Sequence, residues 1–95
     1  MKQPAIYLLA SERNGTLYAG VTSNLIQRVW EHRSGATPGF ATQYRCNRLV
    51  YFELFEDMNT AITREKQIKS WSRKRKLALI EAVNPRWFDL YDDLL

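Results

Sequence analysis

Two short runs of apolar and tyrosine residues, Ile6–Ala10 and Leu17–Thr22, flank the polar stretch Ser11–Thr16. Asn14 and Gly15 in that stretch supply the positive-φ chemistry of hairpin turns, so the pattern predicts a β-hairpin. Tyr7 and Tyr18 are eleven positions apart, and in any bulge-free register an odd separation puts both on one face of the sheet. A turn centred on Glu12-Arg13 makes them direct cross-strand neighbours at ~5 Å. One centred on Asn14-Gly15 staggers them by roughly 13 Å, and a three-residue loop with a bulge at Gly15 sends one to the opposite face.

The period then changes to that of a helix. Asn24 and Gln27 form a capping box, which predicts a helix from Leu25 to about Ser34 with a stop near Gly35. Its apolar stripe is Leu25, Ile26, Val29 and Trp30, with Arg28 and His32, spaced i, i+4, along one edge. The connection Ser34–Asn47 is long enough either to be functional or to contain a short helical turn around Phe40–Tyr44. Leu49–Phe55 reads as a third strand, with Val50, Phe52 and Leu54 on one face and Leu49, Tyr51, Glu53 and Phe55 on the other.

A second helix is predicted from Met58, capped by Asp57, to Trp71, and its apolar arc is Met58, Ala61, Ile62 and Ile68. Glu65 and Lys69 fall inside that arc. A carboxylate directed at a core has to be paired, hydrogen-bonded or metal-bound. Ser72 caps a third helix from Arg73 to Val83, with Leu77, Ile80 and Val83 inward, and Asn84-Pro85 ends it. Trp87, Phe88, Leu90 and Tyr91 give the tail an apolar anchor. Without internal repeat or linker, the order is ββαβαα in one domain, 1–95.

The 95 residues suit a single small core, and twelve aromatic residues exclude a disordered chain. One cysteine, Cys46, excludes an internal disulfide. The apolar run Ile6–Ala10 is too short for a signal peptide and no stretch is long enough to span a membrane, so a cytoplasmic protein without membrane partners is expected. The formal charge of +4 is unevenly spread. Arg64, Lys66, Lys69, Arg73, Lys74, Arg75 and Lys76 form a basic stripe, whereas Asp89, Asp92 and Asp93 crowd the tail, so a polyanion is the expected partner of the former.

Ala5-Ile6-Tyr7 and Tyr18-Ala19-Gly20, followed by Arg28, His32, the run Arg64–Lys69 with Glu65, and Asn84-Pro85-Arg86-Trp87, resemble the GIY-YIG endonuclease superfamily. Within it, they resemble the small stand-alone bacterial group similar to the catalytic domain of the excision-repair nuclease subunit. Both signature motifs keep their tyrosine, while Ala5 and Ala19 replace a glycine and an isoleucine. The resemblance implies an α+β fold, a three-stranded antiparallel sheet flanked by helices, and a metal-dependent nuclease cleaving phosphodiester bonds. Carried over, Tyr7 activates or orients the attacking water with help from Tyr18 and His32. Arg28 holds the scissile phosphate, and Glu65 ligates one divalent ion, Mg²⁺ or Mn²⁺. Asn84 contributes in some members, at variable spacing.

This assignment is chemically coherent. A guanidinium fork suits a phosphate better than an ammonium, and Mg²⁺ completes a sparse protein shell with water and phosphate oxygens. A tyrosine, with an ordinary pKa of about 10, serves as a base only if a neighbour takes its proton or cations lower its pKa. DNA is the expected partner, RNA being left open, with Lys66, Lys69, Arg73, Lys74, Arg75 and Lys76 on its phosphates. No appended specificity module is visible, which leaves weak sequence preference, shape selectivity, or a protein partner that supplies specificity.

Each residue also has a plainer reading. The tyrosines are ordinary strand formers, Arg28 and His32 a solvated helix edge, Glu65 an ion-pair partner of Lys69 or Arg28, and the basic run a solvated face. Trp71 and Trp87 are core anchors, and Asn84-Pro85 is a helix stop. The ordered set Tyr, Tyr, Arg, His and core-facing Glu favours the nuclease; a non-catalytic nucleic-acid-binding module using the same groove is the alternative.

Overall fold

The computed structural model describes residues 3–36 and 39–95. Strands β1 (Ala5–Ala10) and β2 (Leu17–Thr22) form the hairpin, followed by α1 (Leu25–Ser34), a short α2 (Phe40–Gln43) and β3 (Arg48–Leu54). Helices α3 (Met58–Ser70), α4 (Arg73–Val83) and the short α5 (Tyr91–Leu94) complete the chain. The fold is α+β in the expected order, with α2 and α5 as short additions. α2 falls in the Ser34–Asn47 connection where a helical turn was one of two readings; positions 37 and 38 of that connection lie outside the described residues. Among the described residues no helix is long and apolar enough to cross a membrane.

Every residue of β1 is buried. A strand apolar on both faces has to be covered on both, and this requirement sets the architecture. β1 is the middle strand of an antiparallel sheet in the order β2-β1-β3. Ile6, Leu8 and Ala10 pack on Ala61 and Ile68 of α3, Ile80 of α4 and Trp87. On the other face, Ala5, Tyr7 and Leu9 pack on Leu25 and Val29 of α1, together with Ala41, Cys46 and Leu49. Cys46 is buried and its thiol is pushed up by burial, which keeps it unreactive.

Caps form where the sequence places them. Asn24, Asp57 and Ser72 accept from the backbone N–H of Gln27, Thr60 and Arg75, and Gly35 closes α1 in the left-handed conformation at φ 75°. Four details differ from the sequence reading. The hairpin pairs Leu9 with Tyr18 and Tyr7 with Gly20, midway between the two simple registers, because the turn is closed by Gly15 N–H on Glu12 O (2.9 Å) with Asn14 alone taking the positive φ of 58°. The tyrosines still share a face.

In β3, a register shift between Leu8 and Leu9 makes Val50 an extra residue. Val50 and Tyr51 consequently enter the same cluster while Leu49 enters the opposite one, since a bulge breaks strict alternation. On α1 the buried stripe is Leu25, Val29 and His32, with Ile26 and Trp30 turned to solvent. The helix is rotated so that its histidine, not its tryptophan, faces the sheet. Finally, Val83 and Phe88 are exposed, while Trp87 between α4 and the tail is fully buried.

Trp87 is fully buried at φ 59°, a conformation rare for a bulky side chain, and its Nε1–H donates to Glu81 (2.9 Å). Asn84 stabilises that turn. Its Nδ2 donates to Val50 O (3.0 Å) and Phe88 O (2.9 Å), and its Oδ1 accepts from Phe88 N–H (3.0 Å). The acidic tail packs on α1: Asp89 pairs with Arg33, and Leu90, Tyr91 and Leu94 join the α1-side cluster.

Asn84→Ala removes three hydrogen bonds to the backbone at once, one of them buried and two part-buried. It is expected to lower unfolding free energy by about 2–4 kcal/mol, read from urea melts, with no change in the m-value.

Candidate active site

Tyr7 belongs to the buried centre of the sheet, yet its side chain carries a polar end that needs a partner. A buried hydroxyl without one costs about 1–3 kcal/mol. The hydroxyl reaches out of β1 across the backbone of β2 at Gly20, where a Cβ would stand 2.4 Å from it. Glycine at 20 is therefore a clearance, not a flexible point. Beyond it the hydroxyl meets His32 Nε2 at 3.3 Å. The rotation of α1 noted above is what aims His32 at this position.

Tyr18 completes a triangle of rings. Centroids are 6.4 Å apart for Tyr7 and Tyr18, 6.0 Å for Tyr7 and His32, and 5.4 Å for Tyr18 and His32. The diagonal register brings the two tyrosines within aromatic contact. His32 Nδ1 is buried and meets no partner among the described residues. A buried polar atom of this kind calls for an explanation, of which a catalytic role is one.

The electrostatics join the remaining residues to the triangle. Burial, and next the neighbouring Tyr18, push the Tyr7 hydroxyl well above the ordinary phenol range; Arg28 pulls it back, and Glu65 and Glu31 push it up. Burial followed by Arg28 depresses His32, while Glu31 opposes them. Tyr7 is thus a neutral hydroxyl and His32 a neutral imidazole near pH 7, hydrogen-bonded to each other with donor and acceptor roles set by the imidazole tautomer. Tyr7, Tyr18, Arg28, His32 and Glu65, which come from β1, β2, α1 and α3, therefore share one local field.

Two of these already have ion partners. Arg28 Nε lies 3.5 Å from Glu31 and is partly exposed beside a small polar cavity of about 170 Å³ lined by Ser23, Asn24, Gln27, Arg28 and Glu31. Glu65 is only 12% exposed and holds Lys69 Nζ at 3.0 Å, the i, i+4 pair that was its plainer reading. Among the described residues no group of three or more His, Cys, Asp or Glu is placed to hold a metal. A lone sunken carboxylate does not fit a caged tetrahedral ion. It does fit a hard divalent ion that keeps most of its waters, and it already attracts a cation.

The basic stripe is less free than its sequence suggests. Arg64 is a bidentate partner of Glu53 (3.0 and 2.9 Å). Arg73 donates to Asn14 O (2.7 Å) and Gly15 O (2.8 Å) in the hairpin turn. Arg75 lies 3.9 Å over the Trp71 ring, and Lys69 is on Glu65. Lys66 and Lys74 are exposed and Lys76 is half-buried. Asn84 is not part of the cluster: its amide is consumed between β3 and the tail, across β1 from β2. Gly20 and Glu31 went unnoticed as contributors. A glycine inside a strand signals close backbone approach; nothing in the sequence singled out Glu31 beyond its i, i+3 spacing from Arg28.

The chain matches known proteins in sequence and in fold. Residues 3–78 match the profile of the GIY-YIG catalytic domain. A UPF0213 protein of Staphylococcus saprophyticus is 34% identical over 80 residues, covering 84% of this chain and 96% of its own length. A UPF0213 protein of Clostridium perfringens is 36% identical over 77 residues, covering 81% and 82%. The solution NMR structure of a UPF0213 protein from Bacillus halodurans superposes with a TM-score of 0.57 at 26% identity, covering 94% of this chain and 93% of that one. The chain belongs to the GIY-YIG family, whose catalytic domain is that of a nuclease.

His32 is the chain's one histidine, so its titration can be followed without ambiguity. Because folding keeps it neutral, the unfolded chain takes up the proton first as pH falls through about 6.5. Stability should decline from there until folded His32 itself titrates. Urea melts between pH 7.5 and 5.5, above the ordinary carboxylate range, should show this loss, and His32→Gln should flatten it. Gly20→Ala should displace the Tyr7 ring and raise the His32 midpoint toward 6.5 by opening the site to water, as read from imidazole proton shifts.

Proposed function

We propose that this chain, as a single nuclease-like domain over 1–95, is a metal-dependent endonuclease that hydrolyses phosphodiester bonds in DNA, selective for shape or weakly selective for sequence. It would act in the cytoplasm, alone or with a protein partner that supplies specificity. The observation that carries this reading is the Tyr7, Tyr18 and His32 triangle, with Arg28 and Glu65 in the same field.

Each residue has a role matched to its state. Arg28, partly exposed and paired at 3.5 Å with Glu31, exchanges that partner for a phosphate, to which its planar fork is better suited. Tyr7, neutral and hydrogen-bonded, orients the attacking water; the water's proton passes to the Tyr7 oxygen as the Tyr7 proton passes to His32 Nε2. Tyr18 walls the site and holds the other two rings in place. Glu65 is the carboxylate that would hold one Mg²⁺ or Mn²⁺, whose chemistry there is to neutralise charge at the leaving oxygen. Lys69, Lys66, Lys74 and Lys76 add sequence-independent attraction for the backbone.

One observation favours the binding module instead: Glu65 and Arg28 each already hold a partner of opposite charge. Cleavage separates the two readings. With supercoiled plasmid and a panel of branched and single-stranded DNAs, product should appear with Mg²⁺ or Mn²⁺ and vanish with chelator. Glu65→Ala and Arg28→Ala should each reduce the rate by about 10²–10³. Glu65→Ala should leave DNA binding intact or tighter, and Arg28→Ala should weaken it. Folded protein that binds DNA without product under any metal would favour the binding module, or an enzyme that needs its protein partner.

A further inference from the structure

A cavity of about 500 Å³ lies at the end of the sheet where β1 enters the hairpin turn and β3 begins, lined by Ser11, Arg33, Asn47, Arg48, Phe88 and Asp89. None of the tyrosine-cluster residues lines it. Its one carboxylate is already satisfied: Asp89 Oδ1 accepts from the N–H of Leu49 (3.3 Å) and Tyr91 (3.0 Å), and Oδ2 pairs with Arg33. Arg48, half-buried, donates from Nη1 to Trp87 O (3.2 Å). The rest of its fork meets no partner among the described residues, so the cavity holds an uncompensated guanidinium.

Beside it stands Phe88, 62% exposed. That exposure is imposed. Asn84 holds the Phe88 N–H and C=O together (3.0 and 2.9 Å), and buried Trp87 precedes it, so the ring is displayed on a fixed backbone instead of being left over from the core. An aromatic face, a guanidinium with donors to spare and two polar side chains are the groups that bind an unpaired base and its phosphate.

We infer that this cavity is a subsite for one unpaired nucleotide, with its phosphate on Arg48, its base stacked on Phe88, and the polar edge of the base on Ser11 and Asn47. The choice of ligand rests on the nuclease reading above; the geometry of the subsite does not. Arg33 directly follows His32 on α1, so one helix both lines the subsite and carries a residue of the cluster. A strand held here would present a single-stranded flank to the site.

The test is an amide-shift titration by ¹H–¹⁵N NMR of the full chain in chelator, with thymidine 5′-monophosphate and, separately, inorganic phosphate. The nucleotide should shift the amides of Asn47, Arg48, Phe88 and Asp89 to saturation, binding roughly tenfold tighter than phosphate through the stacked base. Phe88→Ala, at an exposed position, should erase that difference. Arg48→Gln, which keeps a donor for Trp87 O, should weaken both ligands. Absence of saturable shifts at these amides, equal binding of phosphate and nucleotide, or an unchanged preference in Phe88→Ala would overturn the subsite. Because no metal is present and Glu65→Ala should bind the nucleotide as wild type does, loss of the subsite and loss of cleavage are read separately.

Discussion

The structure depends on the burial of β1 on both faces. Five of its six side chains are apolar and satisfy that condition by packing alone; Tyr7 does not. Its ring fills space in the α1-side cluster, but its hydroxyl has to leave the sheet to find a partner. It passes over a neighbouring strand residue with no side chain, and the partner waiting there is an imidazole that is itself sunk to 6% exposure. Core packing and site assembly are therefore one event: whatever seats β1 between its helices also delivers Tyr7 to His32.

Much of this was legible in the sequence because it is local. Caps at Asn24, Asp57 and Ser72, the stop at Gly35 and the hairpin's polar turn are each written within a few residues, and the elements begin and end where those signals put them. The shared face of Tyr7 and Tyr18 followed from parity. What was not legible depends on partners far along the chain. Helical periodicity gives an apolar arc but not its rotation, so Trp30 was placed inward and His32 at the edge, whereas packing against β1 reverses them. The Val50 bulge is invisible to an alternation rule that assumes no extra residue. The engagement of Asn84 needs knowledge of Val50 and Phe88 backbone positions, which no spacing supplies.

The basic stripe illustrates how charge counts mislead. Seven cations in thirteen positions suggest an electrostatic surface, yet Arg64 and Arg73 are structural fasteners and Arg75 rests on Trp71. Arginine is suited to such work because a planar fork with five donors can bridge two carbonyls or both oxygens of a carboxylate. The lysines, with compact and strongly hydrated charges, are the ones mostly left outside. The division of labour within the stripe thus follows side-chain chemistry and not its net charge.

The clasp between Arg73 and the two carbonyls of the hairpin turn reaches across 58 and 59 positions of sequence. A hairpin tip is ordinarily where a protease first cuts a small domain, since its backbone is exposed and can be drawn into an extended shape. Here the tip cannot be extended while α4 is docked. The resistance of the first hairpin to digestion is therefore governed by a helix near the other end of the chain.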